Sequence, residues 1–154
     1  MSADITIRQA APSDLDQLMS LLEANRPVFG ILLRQHVEAE IDNTRTYKRK
    51  FWFVAEAYGT LVGAVYVYHG LRDISYPNYL CVDPAFRGAG VGRRLLEQVE
   101  HHARALNQRK VEFQCPEGNP ANALYAHLGY ANTGRERATR NYLLNWERVF
   151  PANT

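Results

Sequence analysis

Apolar and polar residues alternate through Ile5-Thr6-Ile7-Arg8-Gln9-Ala10, the period of a half-buried strand. The period then lengthens. Ser13 is placed to cap a helix with acids in its first turn, and Leu15, Leu18, Met19 and Leu22 recur on one helical face. Asn25 and Pro27 end that helix, and a second is predicted from about Ile31 to Ile41. Phe51 to Ala57 is aromatic and branched, Tyr58-Gly59-Thr60 is a turn, and Leu61 to Tyr68 is another apolar run, so a hairpin is expected. Tyr79-Leu80-Cys81-Val82 predicts a short strand closed by Asp83-Pro84. Beyond a glycine segment, Val91, Leu95, Val99, Ala103 and Leu106 mark the buried stripe of a long helix. Val111 to Cys115 reads as a strand. Ala121, Leu124 and Leu128 read as a short helix stopped by Gly129, and residues 130–137 and 140–149 as a final hairpin. The order β-α-α-β-β-β-α-β-α-β-β predicts an α/β fold without repeats or linkers.

Composition narrows the picture. A chain of 154 residues, 46% hydrophobic and 22% charged, suits one globular domain spanning 1–154. The net charge of +2 gives no argument for nucleic acid or a membrane surface as a partner. Cys81 and Cys115 sit in apolar runs with no metal-type spacing, so reduced, buried thiols and no metal are expected. The first residues carry no basic, apolar leader and no stretch is long enough to span a membrane, so a cytoplasmic location is expected.

The informative chemistry lies in Val82-Asp83-Pro84-Ala85-Phe86-Arg87-Gly88-Ala89-Gly90-Val91-Gly92-Arg93-Arg94, where a strand gives way to a glycine turn and then a helix. Glycines admit positive φ and bring backbone close to a ligand. Successive N–H groups at a helix N-terminus favour phosphate, and Arg87, Arg93 and Arg94 add positive charge. A dinucleotide fingerprint fits poorly, because its third glycine is Arg93, although Glu112 lies at the spacing of a ribose ligand. A Walker loop lacks its Gly-Lys-Ser/Thr. A turn whose glycines serve packing is the remaining alternative.

Arg87-x-x-Gly90-x-Gly92 after a strand ending in Val82-Asp83-Pro84 resembles the pyrophosphate-binding motif of the GNAT superfamily of N-acetyltransferases. Asn119-Pro120-Ala121-Asn122-Ala123-Leu124-Tyr125-Ala126-His127-Leu128-Gly129-Tyr130 resembles a second segment of the same family, and the likeness covers about residues 5–147. It implies a mixed, mostly antiparallel central sheet flanked by helices, and acetyl-CoA as cosubstrate with an amine as acceptor. Backbone N–H groups of Arg87, Gly88, Ala89, Gly90, Val91, Gly92 and Arg93 would cradle the pyrophosphate. Leu80, Cys81 and Val82 would pair with the pantetheine amides, as an added strand pairs with a sheet edge. Asn119 would hydrogen-bond the cofactor, and Tyr125 would lie near the sulfur. Dimers are frequent in the family, so a homodimer is expected.

Acetyl transfer to an amine needs a proton acceptor and a donor to the tetrahedral oxyanion, and the departing thiolate gains from protonation. A backbone N–H of Leu80 to Val82 suits the oxyanion, and Tyr125, a phenol protonated at neutral pH, suits the thiolate. The base stays open. Some relatives use a glutamate where this chain has Gln114, which cannot accept a proton; Glu112, Glu117 and His69 are the candidates. The family's asparagine usually stands seven residues before the tyrosine, where this chain has Gly118; Asn119 is one residue late, and Asn122 is the alternative contact. In the family, the acceptor site draws on segments that here are Arg26 to Glu38, His69 to Asn78 and Arg135 to Tyr142. Phe29, Ile31 and Leu32 would give an apolar floor, and Arg135, Arg137 and Arg140 would suit an acceptor bearing a carboxylate or phosphate. A non-catalytic module that only binds acyl-CoA is the alternative to an enzyme.

Overall fold

Arg8, on the first strand, explains how the chain turns into its first helix. Its guanidinium forms a bidentate pair with Asp14, 2.7 and 2.8 Å, and its Nε donates to Glu56 at 3.0 Å. The same Asp14 carboxylate accepts from Ala11 N–H at 2.7 Å. Asp14 rather than Ser13 therefore organises the start. The first turn is a 3-10 turn over Pro12–Asp14, a start that proline favours because it fixes φ and needs no N–H partner.

The protein is described by a computed structural model, which covers residues 4–25, 32–42, 44 and 48–151. Its strands are β1 (Ile5–Gln9), β2 (Lys50–Ala57), β3 (Thr60–His69), β4 (Ile74–Val82), β5 (Lys110–Pro116), β6 (Ala131–Arg137) and β7 (Tyr142–Val149). Its helices are α1 (Leu15–Ala24), α2 (Arg34–Glu40), α3 (Val91–Ala105) and α4 (Ala121–His127). Among the described residues the element order is the expected one. The strands form one seven-stranded sheet in the order β1-β2-β3-β4-β5-β7-β6. The β1–β2, β2–β3, β5–β7 and β6–β7 pairs are antiparallel, and β4–β5 is parallel.

The chain divides into two compact units, Met1–Tyr68 with Pro77–His101, and His69–Tyr76 with His102–Thr154. In the first, Leu15, Leu18, Leu21 and Leu22 of α1 and Val37 of α2 join Trp52 and Val54 of β2, Leu61 and Ala64 of β3, and Cys81 of β4 in one core. From Leu61 to Val65 every described side chain of β3 is buried, the pattern of a strand covered on both faces. Gly63 lies in that run for a packing reason. A Cβ there would meet Val91 Cγ1 at 2.8 Å, Leu95 Cδ1 at 3.1 Å and the Cys81 carbonyl oxygen at 3.2 Å, so Val91 and Leu95 of α3 occupy the space that a side chain at 63 would take.

In the second unit β5, β7 and β6 lie side by side, with Phe113 opposite Trp146 and Gln114 opposite Asn145. The period of two puts Phe113, Cys115 and Trp146 on one face and Glu112, Gln114, Asn145 and Glu147 on the other. All seven residues of β6 are exposed. Its bulge between Asn132 and Gly134, and its Arg135-Glu136-Arg137 run, are features that discourage edge pairing with other chains.

Three boundaries differ from the sequence expectation. β4 begins at Ile74, five residues before Tyr79, in spite of Pro77. Its pairing with β5 runs through Ile74 and Ser75, so the missing Pro77 N–H breaks no bond of that ladder. α3 ends at Ala105, and Leu106 is 46% exposed rather than part of the buried stripe. Asn107 takes a left-handed φ of 60°, with Asn107 N–H donating to Arg104 O at 3.0 Å and Gln108 N–H to Ala103 O at 3.0 Å. This is the Schellman stop with asparagine in place of glycine. The second helix starts at Arg34; Phe29 and Ile31, expected near it, lie outside the described residues.

Candidate active site

The first unit holds the glycine turn. At the end of β4, Tyr79 has φ 56° and its N–H donates to its neighbour Asn78 Oδ1 at 2.8 Å. That local bond stabilises a left-handed residue within a strand. Leu80, Cys81 and Val82 follow, Cys81 buried and the others half-buried. Burial pushes the Cys81 thiol up to about 12 and the Cys115 thiol, in the second unit, up to about 11, so both are protonated near neutral pH. Asp83 N–H donates to Val62 O at 2.8 Å, and Asp83 Oδ1 accepts from Ala85 N–H at 2.9 Å, starting a 3-10 turn over Pro84–Phe86.

Gly88 and Gly90 then adopt φ of 82° and 80°. Among the described residues other than its chain neighbours, none comes within 4 Å of a Cβ added at Gly88, and at Gly90 the tip of Arg93 does, at 3.7 Å. Backbone conformation, not crowding, requires these glycines. The first helical bond of α3 runs from Arg94 N–H to Gly90 O at 3.1 Å. The amides of Val91, Gly92 and Arg93 are thus the unpaired first turn of a fifteen-residue helix. Among the described residues no acceptor takes these hydrogens, nor those of Gly88 and Gly90. Arg87 N–H and Ala89 N–H do not join them: they turn inward to Pro84 O at 3.4 Å and Phe86 O at 3.3 Å. Arg87 is exposed, and Arg93 is exposed beside Glu97 at 3.7 Å. The turn presents five amides and two arginines, a site for a phosphate anion.

The second unit holds Tyr125 on α4, and both ends of that short helix are pinned. Asn119 Oδ1 accepts from Ala121 N–H at 2.9 Å, leaving the Asn119 amide hydrogens as its donors. Asn122 Nδ2 donates to Pro116 O at 2.8 Å, Asn119 O at 3.0 Å and, less closely, Glu117 O at 3.3 Å, while its Oδ1 accepts from Trp146 Nε1 at 2.9 Å. That side chain is fully used within the fold. At the other end Gly129, φ 91°, closes a Schellman motif: Tyr130 N–H donates to Tyr125 O and Gly129 N–H to Ala126 O, both at 3.1 Å. The apolar contact that goes with this motif is Tyr125 against Tyr130, centroids 6.4 Å apart.

Tyr125 is 8% exposed, with Phe113 edge-on at 4.6 Å and Trp146 at 6.0 Å. Burial first, and then proximity to Cys115, raise its phenol well above the ordinary range, so the hydroxyl keeps its proton. Gln114 lies on the opposite face of β5, where its amide donates to Asn145 at 2.9 Å and to Glu136. Each candidate base has a partner. Glu112 pairs with Lys110 at 2.9 Å, and Glu117 with Arg135. His69 is buried, with Nδ1 2.7 Å from Ser75 Oγ and Nε2 2.8 Å from His102 Nδ1. Arg135, expected to meet an acceptor anion, is held by Glu117 and stacks 3.4 Å over the Tyr142 ring; Arg137 and Arg140 are exposed. Leu32 packs against the core of the first unit.

Residues 48–132 match the family model of the acetyltransferase (GNAT) domain, more than half of the chain. The chain belongs to the GNAT acetyltransferases. An acetyltransferase of Photorhabdus laumondii is 32% identical over 118 residues, 75% of this chain and 78% of that relative. Among solved structures, the PaiA N-acetyltransferase of Thermoplasma acidophilum, in complex with coenzyme A, shares the fold at TM-score 0.79 with 16% identity, covering 96% of this chain and 99% of that one. The ribosomal-protein-alanine N-acetyltransferase of Brucella melitensis does so at TM-score 0.75 with 24% identity, covering 94% and 99%. Acetyl-CoA is the cosubstrate of the GNAT family. Among the described residues no helix is long and apolar enough to cross a membrane.

Proposed function

We propose that this GNAT protein is an acetyl-CoA-dependent N-acetyltransferase that moves the acetyl group to a primary amine by direct attack on the thioester. The observation that carries this reading is the run of unpaired amides at Gly88 and Gly90 to Arg93, at the N-terminus of α3 beside Arg87. Those amides hold the pyrophosphate. Leu80, Cys81 and Val82 pair with the pantetheine through their backbone, and a backbone N–H of this stretch stabilises the tetrahedral oxyanion. Asn119 donates to the cofactor from Nδ2, since its Oδ1 is already bonded. Tyr125, whose phenol burial keeps protonated, gives its proton to the departing thiolate. The protein acts in the cytoplasm as a homodimer.

A non-catalytic acyl-CoA-binding module is the second reading, favoured by the glutamine at position 114. Calorimetric titration with acetyl-CoA, with dephosphorylated pantetheine as control, tests the common ground. Binding of acetyl-CoA alone supports the phosphate cradle, and no binding by the folded protein removes both readings. A screen of primary amines for release of free coenzyme A then separates them, because a binding module releases none.

A further inference from the structure

Three aromatic rings of the first unit meet beside one carboxylate. Trp52 is 1% exposed, and its Nε1 donates to Oε1 of Glu40, the last residue of α2, at 3.0 Å. The Tyr79 ring stacks on the indole, centroids 6.0 Å apart and planes 14° apart. Tyr66 tilts against both, 5.4 Å from Trp52 and 5.8 Å from Tyr79. Tyr66, Tyr79 and Glu40 are half-buried, so the group reaches the surface where Trp52 does not. The Tyr66 phenol is raised first by burial and then by the negative charge of Glu40, with Tyr79 and Tyr68 adding to it. The carboxylate is close enough to be felt at that hydroxyl. Tyr79 is also the residue directly before Leu80, where the stretch proposed to meet the thioester begins.

We propose that Glu40, Tyr66 and Tyr79 form the acceptor site, and that the acceptor is a primary ammonium on an apolar, anion-free skeleton. This rests on the acetyl-transfer reading above. The indole N–H orients one carboxylate oxygen, and among the described residues Oε2 is left to accept from the ammonium. The two phenol rings present apolar walls to the skeleton and π-faces to the charge. An ammonium has no lone pair for attack, so one N–H proton passes to Glu40 Oε2. The freed pair forms the C–N bond to the acetyl carbon while the C=O π pair moves to oxygen. When the oxyanion collapses, the C–S bond breaks and its electrons leave on sulfur. The nitrogen loses its second proton to water as the amide forms, and the thiolate takes the Tyr125 proton, which the phenol regains from water. The products are the N-acetyl amine, the thiol of coenzyme A, and one proton that leaves Glu40 for water.

Glu40→Gln is the informative variant, because its amide oxygen still accepts from Trp52 and the fold keeps that bond. The experiment measures kcat/KM for apolar primary amines of graded basicity at one pH, alongside the calorimetric Kd of acetyl-CoA. The expected result is an unchanged Kd, with kcat/KM reduced about 100-fold or more for amines protonated at the assay pH. The loss shrinks for amines already neutral there. No loss, or a uniform loss across the series, overturns the assignment and leaves Glu40 as a tie between α2 and β2. Wild-type protein supplies a second test that no folding defect can blur: amino-acid amides should be acetylated at least tenfold faster than the corresponding free α-amino acids, whose carboxylate is repelled by Glu40. Preference for the free acids overturns the proposal while leaving acetyl transfer intact. Absence of acetyl-CoA binding by the wild type ends both.

Discussion

Replacing Asn122 with alanine should destabilise the protein by about 3 kcal/mol. Three of its hydrogen bonds are 2.8–3.0 Å long, to Pro116 O, Asn119 O and Trp146 Nε1. Each is worth about 1 kcal/mol net, and the longer bond to Glu117 O adds little. For a chain of this size about 1 kcal/mol moves Tm by roughly 2–4 °C, so the variant should melt about 6–12 °C lower. Guanidinium unfolding followed by indole fluorescence measures the change. Trp146→Phe removes the other end of one bond and keeps a ring against Tyr125. The double variant should therefore lose less than the two single losses together, by about 0.5 kcal/mol or more. A loss below about 1 kcal/mol for Asn122→Ala, or strict additivity with Trp146→Phe, would refute the view that this side chain anchors α4.

Three further outcomes are expected. Gly90→Ala forces a left-handed residue with a side chain at φ 80°, a strain of about 1–2 kcal/mol, and acetyl-CoA should bind about tenfold more weakly by calorimetry; an unchanged Kd would mean the turn is not the cradle. Tyr125→Phe should lower kcat about 100-fold or more without changing the acetyl-CoA Kd, and an unaltered kcat would remove the phenol from the reaction. Asp14 is held below its ordinary range, first by the Arg8 hydrogen bonds, so its folded pKa is depressed. Its stabilisation is complete above the unfolded value of about 3.9 and is lost as pH falls through the folded value. Asp14→Asn should flatten the slope of unfolding free energy against pH below about 4, and an identical slope in the variant would count against the pair.

Much of the fold was legible because local chemistry and tertiary packing agree. The stripe from Val91 to Ala103 is buried, and Gly129 stops α4 by adopting positive φ. Gly88 and Gly90 take the left-handed backbone that their place between strand and helix suggested. Failures came where a residue's partner is distant in sequence. Asp14 displaced Ser13 because the Arg8 guanidinium and the Ala11 N–H both bond to it, and Arg8 lies six residues back on β1, outside the window that reads a helix cap. Pro77 hid the first half of β4, since proline argues against a strand unless the pairing pattern excuses it. Leu106 fits the helical period, but Asn107 ends the helix first, and asparagine is a weaker stop signal than glycine. In the candidate site, the glycine turn and Tyr125 were visible as motifs. The Glu40–Trp52 bond was not, because it joins helix to strand across twelve residues with no motif to mark it. Asn122, the alternative to Asn119 as a cofactor contact, spends its four bonds inside the fold.

Gly63 has a consequence for how this protein tolerates change. The absent side chain at 63 lets Val91 and Leu95 sit against β3, and Val91 is the first residue of the helix that follows the glycine turn. A single added methyl group must displace the Val91 side chain, at the first residue of α3, which directly follows the glycine turn. A random library screened for lost cofactor binding would therefore return position 63 together with 88 and 90, although residue 63 lies in the middle of a strand. With the turn binding the cofactor as proposed, the core and the glycine turn are one mutational target, and drift in this protein is constrained in its hydrophobic interior for reasons that reach beyond stability.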